Sequence, residues 1–325
     1  MSFPFNVYLL AFASAALTTA LTLPLWRAWC RRTGLVDDPG HRKIHHTPVP
    51  LAGGLAVLTG LVIPLLCGAV ILGFNWAASP ADSFALSHGL ERRAVELAAI
   101  LLGAIGMTFL GWLDDKHELR PALKFTGQFL IALLVAAAGV RATLFVPNII
   151  FSYAVTIFWI LTVTNAFNFM DNMNGLCAGL GAVGAWYFGV LAAVDGQYLV
   201  ALLALLACGA LLGFLPYNFP TATAFLGDAG SHLTGYLLAV LAILPHFYTP
   251  ENPRRLAVLT PLLVLAVPLA DIVWVVLLRW RLGKPFYLGD TNHLSHRLVR
   301  RGIPNSTAVL LIWLLAAALG ALALM

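Results

Sequence analysis

Ten apolar stretches, each about the length of a membrane-crossing helix, follow one another along this chain of 325 residues. A helix needs about 20 mostly apolar residues to cross the hydrocarbon core of a bilayer. Because that core offers no water to bond with backbone groups, such stretches must fold as helices. The sequence therefore predicts an all-α integral membrane protein with about ten transmembrane helices. The predicted spans are residues 4–26, 51–74, 94–113, 121–140, 148–167, 176–194, 197–215, 230–248, 257–279 and 305–325.

The composition predicts a single membrane domain over residues 1–325. Charged residues make up 10% of the chain and hydrophobic residues 60%, whereas a soluble domain is about one quarter charged. The first apolar run continues to Trp26, too long for a signal-peptide core, so we expect it to remain as the first span. The cysteines lie in or beside apolar runs without a CxxC spacing, which disfavours disulfides and zinc. We therefore expect this chain to lie in a lipid bilayer and to bind no nucleic acid.

The basic residues predict the orientation of the spans. When the spans alternate in direction, one face receives all Lys and Arg residues except Arg92, Arg93, Arg141, Arg254 and Arg255. The positive-inside rule makes the richer face cytoplasmic. An even number of spans then places both termini on the extracytoplasmic side.

Five polar clusters interrupt the apolar chain, and each lies at the end of a predicted span. Ionisable groups are costly near a bilayer, so their retention at span ends indicates function. All five clusters fall on the predicted cytoplasmic face, which predicts one active site there. The clusters are Arg42-Lys43-Ile44-His45, Asp114-Asp115, the segment 168–175, the segment 227–231 and the segment 293–297.

Two of the clusters are acidic. Asp114 and Asp115 end an apolar run, and Glu118 would share their helical face if the helix continued for a turn. Adjacent carboxylates suit capture of a divalent metal, or one can act as a base; the alternative is a solvated helix end. Asp228 lies between Gly227 and Gly230 at the start of a predicted span, where a Mg²⁺ ligand could meet a phosphate; the alternative is a turn with a helix cap.

The other clusters offer amides and cations. Asn168, Asp171 and Asn174 recur at intervals of three, which predicts one polar helical face suited to a sugar or nucleobase, or a seam between spans. A hydrophilic loop with histidines and an arginine suits a diphosphate, and a basic loop before the second span suits an anionic ligand. These two loops supply His293, His296 and Arg297, and Arg42, Lys43 and His45.

Taken in order, these motifs resemble the polyprenyl-phosphate N-acetylhexosamine-1-phosphate transferases, which include the phospho-N-acetylmuramoyl-pentapeptide transferases. The resemblance extends over nearly the whole chain. It rests on Gly34-Leu-Val-Asp37 through Arg42-Lys43-Ile-His45 to Pro50, Asp114-Asp115 with Lys124, Asn165-Ala-Phe-Asn168-Phe-Met-Asp171, Phe225-Leu-Gly-Asp228-Ala-Gly-Ser231, and Asp271 through Arg281 to His293–Arg297.

The resemblance implies that N-acetylhexosamine 1-phosphate, in the first instance that of GlcNAc, passes from a UDP-sugar to undecaprenyl phosphate with release of UMP. Such a reaction would initiate a cell-surface glycan at the bacterial cytoplasmic membrane, with Mg²⁺ as the required ion and Mn²⁺ as an alternative. The sequence leaves the oligomeric state undetermined, and a homodimer is one alternative. The expected catalytic residues are Asp114, Asp115 and Asp171, the metal ligands Asp228 and Asp115, and the substrate-binding residues Arg42, Lys43, His45, Lys124, Asn168, Asn174, His293, His296 and Arg297.

The chain departs from the family pattern at three places. The family commonly has Asp-Gly-x-Asp-Gly where residues 171–175 read Asp-Asn-Met-Asn-Gly, Ser295 replaces a histidine, and Glu118 replaces an aspartate. The missing histidine favours the N-acetylglucosamine branch over the muramoyl-pentapeptide branch. Two alternatives remain: a catalytically impaired member that binds a lipid phosphate, and a multi-span transporter, whose polar site would lie near the bilayer midplane.

Overall fold

The computed structural model describes residues 3–38, 47–74, 93–144, 146–245, 259–285, 287 and 290–325. Helices dominate this part of the chain, and a two-stranded hairpin joins the first two helices. The elements are α1 (Phe5–Thr33), β1 (Val36–Asp37), β2 (Val49–Pro50), α2 (Gly53–Gly73), α3 (Ala94–His117), α4 (Pro121–Ala137), α5 (Ile149–Met170), α6 (Leu176–Val194), α7 (Tyr198–Phe214), a 3₁₀ turn (Leu215–Tyr217), α8 (Gly227–Leu241), α9 (Thr260–Val264), α10 (Ala266–Arg281), α11 (Leu294–Arg300) and α12 (Asn305–Leu322).

The helices confirm the predicted all-α membrane fold. Within the described ranges, seven helices are long and apolar enough to cross a bilayer, namely α1, α2, α3, α5, α6, α7 extended through its 3₁₀ turn, and α12. Large apolar side chains cover much of their outer surface; Ile150 is 76% exposed and Phe158 is 71% exposed. In water such a surface would be unstable, whereas lipid tails solvate it well. The chain is therefore a multi-pass membrane protein.

The three other predicted spans coincide with shorter or interrupted helices, so the count of ten stays a prediction. Helix α4 has 17 residues and α8 has 15. The predicted span 257–279 contains a break at Leu265, between α9 and α10. Pro268 explains the break, because its ring would clash with the carbonyl of Val264 in a continuous helix.

Helix α8 lies at the centre of the bundle. All of its residues except Asp228 are buried. Its first turn approaches two neighbouring helices so closely that only glycine fits. A Cβ atom at Gly54 of α2 would overlap the backbone of Gly230, and one at Gly111 of α3 would overlap the carbonyl of Asp228. These contacts fix the position of the first turn of α8.

The hairpin β1–β2 is anchored beside the same turn. Val36 pairs with Pro50, and Asp37 pairs with Val49, in an antiparallel register. The carbonyl of Pro50 accepts a hydrogen bond from the Phe225 amide at 3.0 Å, and the Phe225 carbonyl accepts one from Gly53 at 2.9 Å. The predicted ligand-binding residues Arg42, Lys43 and His45 belong to the connection between β1 and β2, which lies outside the described residues.

Candidate active site

A lysine joins two aspartates at the end of the bundle where α3 and α5 finish and α4 and α8 begin. Lys124, in the first turn of α4, places its Nζ 2.6 Å from Asp114 Oδ2 and 2.7 Å from Asp228 Oδ2. The amide nitrogen of Asn168 donates to Asp228 Oδ1 at 2.7 Å and to Ser231 Oγ at 3.0 Å. The structure thus brings together four residues that the sequence placed on four separate helices.

The two adjacent aspartates of α3 have different environments. Asp114 contacts Lys124 and accepts a hydrogen bond from the Leu119 amide at 2.8 Å. Asp115 accepts hydrogen bonds from the backbone amides of Asp228 at 2.8 Å and Ala229 at 3.1 Å. The residue preceding α8, Leu226, provides no side-chain cap. Asp115 therefore caps the N-terminus of α8 from another helix, where a negative charge is favourable.

Helix α3 continues past the end of the predicted span at residue 113 but does not include Glu118. It stops at His117, and Glu118 adopts a left-handed conformation with φ of 47°. The condition under which Glu118 would share a helical face with the aspartate pair is therefore not met. The Leu119 amide, which follows this turn, donates to Asp114 instead of continuing the helix.

The prediction of a single helical face for Asn168, Asp171 and Asn174 is also wrong. Helix α5 ends at Met170, and Gly175 has a φ of 77° that a left-handed turn requires. Asn168 contacts Asp228, whereas the Asn174 amide donates to the Pro220 carbonyl at 3.2 Å. The turn directs Asn174 towards the loop after α7 and separates it from Asn168.

Asp171 is a carboxylate without a cationic partner among the described residues. Its side chain makes no hydrogen bond or ion pair within the described part of the chain. Burial raises the pKa of the Asp171 carboxyl well above its usual range, and the negative charges of Asp228 and Asp115 raise it further. A carboxylate in this environment accepts a proton more readily than an exposed aspartate does.

The segment with the two predicted histidines is a short, partly buried helix preceded by the buried His293, rather than a solvated loop. His293 precedes α11, and its Nδ1 lies 2.6 Å from Asp271 Oδ2 of α10. The other oxygen of Asp271 accepts from the Leu294 amide at 2.7 Å. His293 is 4% exposed and Asp271 5%. This contact fixes the histidine ring, with Nδ1–H as the donor when the ring is neutral.

Aromatic and polar contacts join this segment to the end of α5. The ring of Phe169 contacts both the Arg279 guanidinium, at 4.9 Å, and the His293 ring, at 5.7 Å. Ser295 Oγ donates to Asn172 Oδ1 at 2.6 Å. This hydrogen bond connects two of the positions at which the chain departs from its family pattern.

The charges around α11 shift the pKa values of two groups. Partial burial would raise the pKa of Asp290, but the 2.9 Å bond from Arg279 Nε and the Asn292 amide lower it below its usual range. Burial, with the nearby charges of His293 and Arg300, lowers the pKa of His296. His296 is therefore predominantly neutral at pH 7, and Arg297, 4.7 Å from the Trp274 ring, is a permanent cation beside it.

Sequence reasoning missed several polar residues around this site. Asp271 and Asn165 were noted only as parts of motifs, and Gln128 and His232 received no role. Helical spacing could have found Asn165, Gln128 and His232, because each lies three or four residues from Asn168, Lys124 or Asp228 on the same helix.

The donor set fits a hard divalent cation better than zinc. In the described ranges no three His, Cys, Asp or Glu side chains form a metal-binding group. Asp114, Asp171 and Asp228 nevertheless offer oxygen ligands, and Mg²⁺ usually takes one or two carboxylates together with water and phosphate oxygens. Both oxygens of Asp115 already accept backbone hydrogen bonds, so Asp115 is the less suitable ligand.

Comparison with known proteins identifies similar enzymes. Residues 97–246 match the family described as Glycosyl transferase family 4. The chain is 31% identical to a probable undecaprenyl-phosphate N-acetylglucosaminyl 1-phosphate transferase of Bacillus subtilis, over 94% of this chain and 81% of that protein. It is 33% identical to the decaprenyl-phosphate N-acetylglucosaminephosphotransferase of Mycobacterium tuberculosis, with 94% and 79% covered. It is 28% identical to the undecaprenyl-phosphate alpha-N-acetylglucosaminyl 1-phosphate transferase of Escherichia coli, with 95% and 81% covered.

Proposed function

We propose that this chain, which belongs to glycosyl transferase family 4, transfers N-acetylglucosamine 1-phosphate from its UDP-sugar to a polyprenyl phosphate. The observation that supports this most directly is Lys124 held between Asp114 and Asp228 at the meeting point of α3, α4, α5 and α8. A cation among carboxylates at a membrane surface suits a reaction between two phosphates, one of them carried by a lipid. The names of the similar enzymes give the same reaction class.

The reaction exchanges one phosphorus–oxygen bond for another. An oxygen of the lipid phosphate attacks the phosphorus that carries the sugar, and the bond from that phosphorus to UMP breaks. UMP leaves with the bridging oxygen, and the product is a lipid-linked sugar diphosphate. Catalysis of phosphoryl transfer depends mainly on positioning and on neutralising charge. Lys124 would supply part of that charge.

Asp171 is the best placed proton acceptor in the described part of the site. Asp114 forms an ion pair with Lys124, and Asp115 bonds to two backbone amides. Asp171 has neither kind of partner, so its carboxylate remains available to take the proton of a lipid phosphate monoanion. Such a transfer would make the attacking oxygen more nucleophilic.

Mg²⁺ would be held by Asp228, with Asp114 as a further carboxylate, and when bound would neutralise the diphosphate of the donor. Lys124 and Asn168 fix both oxygens of Asp228 by hydrogen bonds and so orient the carboxylate. His293, His296 and Arg297 would bind the nucleotide sugar, and the basic residues Arg42, Lys43 and His45 would attract its negative charge. Asn174, in the turn after α5, would also help to bind the nucleotide sugar.

The site would face the cytoplasm of a bacterial inner membrane, with both termini outside. The asymmetry of basic residues supports this orientation. The grouping of Asp114, Lys124, Asn168 and Asp228 at helix ends also argues against a transporter, because substrate sites in transporters lie near the midplane.

The test is UMP release by the purified protein in detergent with undecaprenyl phosphate, Mg²⁺ and a panel of UDP-sugars. Reactions without lipid and with EDTA are the controls, and Asp228→Asn is the matched inactive variant. We expect UMP from UDP-N-acetylglucosamine that depends on both lipid and metal. Folded protein that releases no UMP from any donor would favour an impaired lipid-phosphate binder, and activity gained by Asn174→Asp would support that alternative.

A further inference from the structure

A second group of polar side chains lies one helical turn deeper in the bundle than Lys124, Asn168 and Asp228. It consists of Gln128 on α4, Asn165 on α5 and His232 on α8, here called the inner layer. Gln128 and His232 are 0% exposed, and Asn165 is 8% exposed. The proposed reaction uses none of these three residues.

A directed chain of hydrogen bonds joins the inner layer. The Asn165 amide donates to Gln128 Oε1 at 2.7 Å and to the Leu161 carbonyl at 2.8 Å. The Gln128 amide nitrogen must then face His232, whose Nε2 lies 3.3 Å away. His232 Nε2 therefore accepts, and the proton of the neutral ring is on Nδ1, which has no partner among the described residues. The chain runs from α5 through α4 to α8.

The inner layer repeats the arrangement of the site on the same three helices. Gln128 follows Lys124 by four residues, His232 follows Asp228 by four, and Asn165 precedes Asn168 by three. Residues at these spacings share a helical face. Because α4 and α8 begin at the site and α5 ends there, each inner-layer residue lies deeper in the bundle than the site residue on its helix. The three helices are thus bonded to one another at two successive levels.

We propose that Gln128, Asn165 and His232 are positioning residues, whose hydrogen bonds set the rotation and register of α4, α5 and α8 so that Lys124, Asn168 and Asp228 meet. This inference rests on the proposed transferase function where it concerns turnover. Two bonded levels define the relative rotation of helices, whereas a single level leaves each helix free to pivot about it.

The buried hydroxyl groups of Thr234 and Thr108 bond only within their own helices. Thr234 Oγ1 of α8 donates to the Gly230 carbonyl of its own helix at 2.8 Å. Thr108 Oγ1 of α3 likewise donates to the Ala104 carbonyl at 2.9 Å. Such bonds within a helix do not constrain the position of neighbouring helices. Thr234→Val is therefore a matched control, since it removes a buried hydrogen bond from the same helix.

The kinetic test compares Gln128→Met, His232→Leu and His232→Gln with the control. Met preserves length but cannot bond, and Leu removes the acceptor, whereas the Gln side-chain oxygen can accept from Gln128 much as Nε2 does. We expect Gln128→Met and His232→Leu to lower kcat by about tenfold or more, since misplacement of reacting groups by about 1 Å can cost about 100-fold. KM for the UDP-sugar should change little, and His232→Gln should recover most of kcat.

A second measurement does not depend on turnover. Lys124 is shielded by its carboxylate partners, whereas Lys116 is exposed and serves as an internal reference. Brief treatment with acetic anhydride, followed by mass spectrometry, gives the ratio of acetylation at Lys124 to that at Lys116. Gln128→Met and His232→Leu should raise this ratio, while His232→Gln and Thr234→Val should leave it at the wild-type value.

The outcomes separate the two proposals. A wild-type protein that releases no UMP contradicts the transferase function, while the acetylation ratio still decides the positioning role. The positioning role is overturned if the ratio and kcat of Gln128→Met match those of Thr234→Val. It is also overturned if His232→Gln is as defective as His232→Leu, or if the defective variants are unfolded and the folded ones behave as wild type.

Discussion

Replacement of Asp115 by Asn tests whether this residue stabilises α8 or takes part directly in chemistry. The carboxylate accepts hydrogen bonds from the amides of Asp228 and Ala229, 113 and 114 residues further along the chain. Asn is nearly isosteric and retains one acceptor oxygen. Its NH₂ group is a donor and would face one of the two backbone N–H groups, so that hydrogen bond would be lost. Because Asn is uncharged, the favourable interaction with the helix N-terminus would be lost as well.

The cost follows from these two losses. A hydrogen bond to a charged group contributes about 1.5–3 kcal/mol, and a charge at a helix N-terminus contributes about 0.3–1 kcal/mol. Asp115→Asn should therefore lower the free energy of unfolding by about 2–4 kcal/mol. Turnover should fall as well, because Asp115 holds the backbone amide of Asp228, and Asp228 is the proposed Mg²⁺ ligand.

Thermal unfolding in detergent, followed with a thiol-reactive dye, measures the loss of stability. Cys30, Cys177 and Cys208 are buried and become reactive only on unfolding, whereas Cys67 is exposed and gives a constant background. We expect a lower Tm for Asp115→Asn. The matched control is Asp171→Asn, which removes a nearby half-buried carboxylate that makes no hydrogen bond with the described residues, and which should keep or raise the Tm.

A Tm for Asp115→Asn equal to that of the wild type, together with lost turnover, would refute the capping argument. That result would assign Asp115 to catalysis or metal binding, as the family resemblance implied. Equal destabilisation by Asp115→Asn and Asp171→Asn would show that loss of any carboxylate there has the same effect, which also contradicts a specific cap.

Three further predictions concern the remaining site residues. Lys124→Met should lower kcat by about 100-fold or more, since it removes a preorganised cation from two carboxylates; UMP release within tenfold of wild type would contradict this. Because the raised pKa of Asp171 keeps it protonated at acidic pH, kcat should fall as pH decreases, with a midpoint above the ordinary value of about 4. A pH–rate profile checks this, and Asp171→Asn should be slow and lack that midpoint. Ser295→Ala should raise KM for the UDP-sugar a few-fold, since it frees Asn172; initial rates at varied donor concentration test it, and an unchanged KM would disprove it.

The fold was predictable to the extent that it depends on local hydrophobicity. The predicted span 176–194 coincides with helix Leu176–Val194, and most other spans agree to within a few residues. The break at Leu265 was missed because the apolar run continues through it, and a proline within a span is often tolerated. The count of spans depends on lengths that hydrophobicity alone does not determine.

The candidate site was less predictable, since its residues act through partners distant in sequence. The clusters containing Asp114, Asp228 and His293 were recognised because polar residues are conspicuous in an apolar chain. The common face of Asn168, Asp171 and Asn174 failed because α5 ends at Met170, and the polar spacing continues unchanged past that point. Gln128 and His232 received no role, although each lies four residues from Lys124 or Asp228 on the same helical face.

The sequence by itself determined that this chain crosses a membrane, where its polar clusters lie along the chain, and which family it resembles. These properties are encoded locally, because the transfer of each apolar stretch into lipid depends on the residues of that stretch. Only the tertiary structure decided how the acidic groups differ: Asp114 pairs with Lys124, Asp115 caps α8, and Asp171 makes neither contact. Such roles depend on contacts between helices, and no local pattern states which helix end will face which.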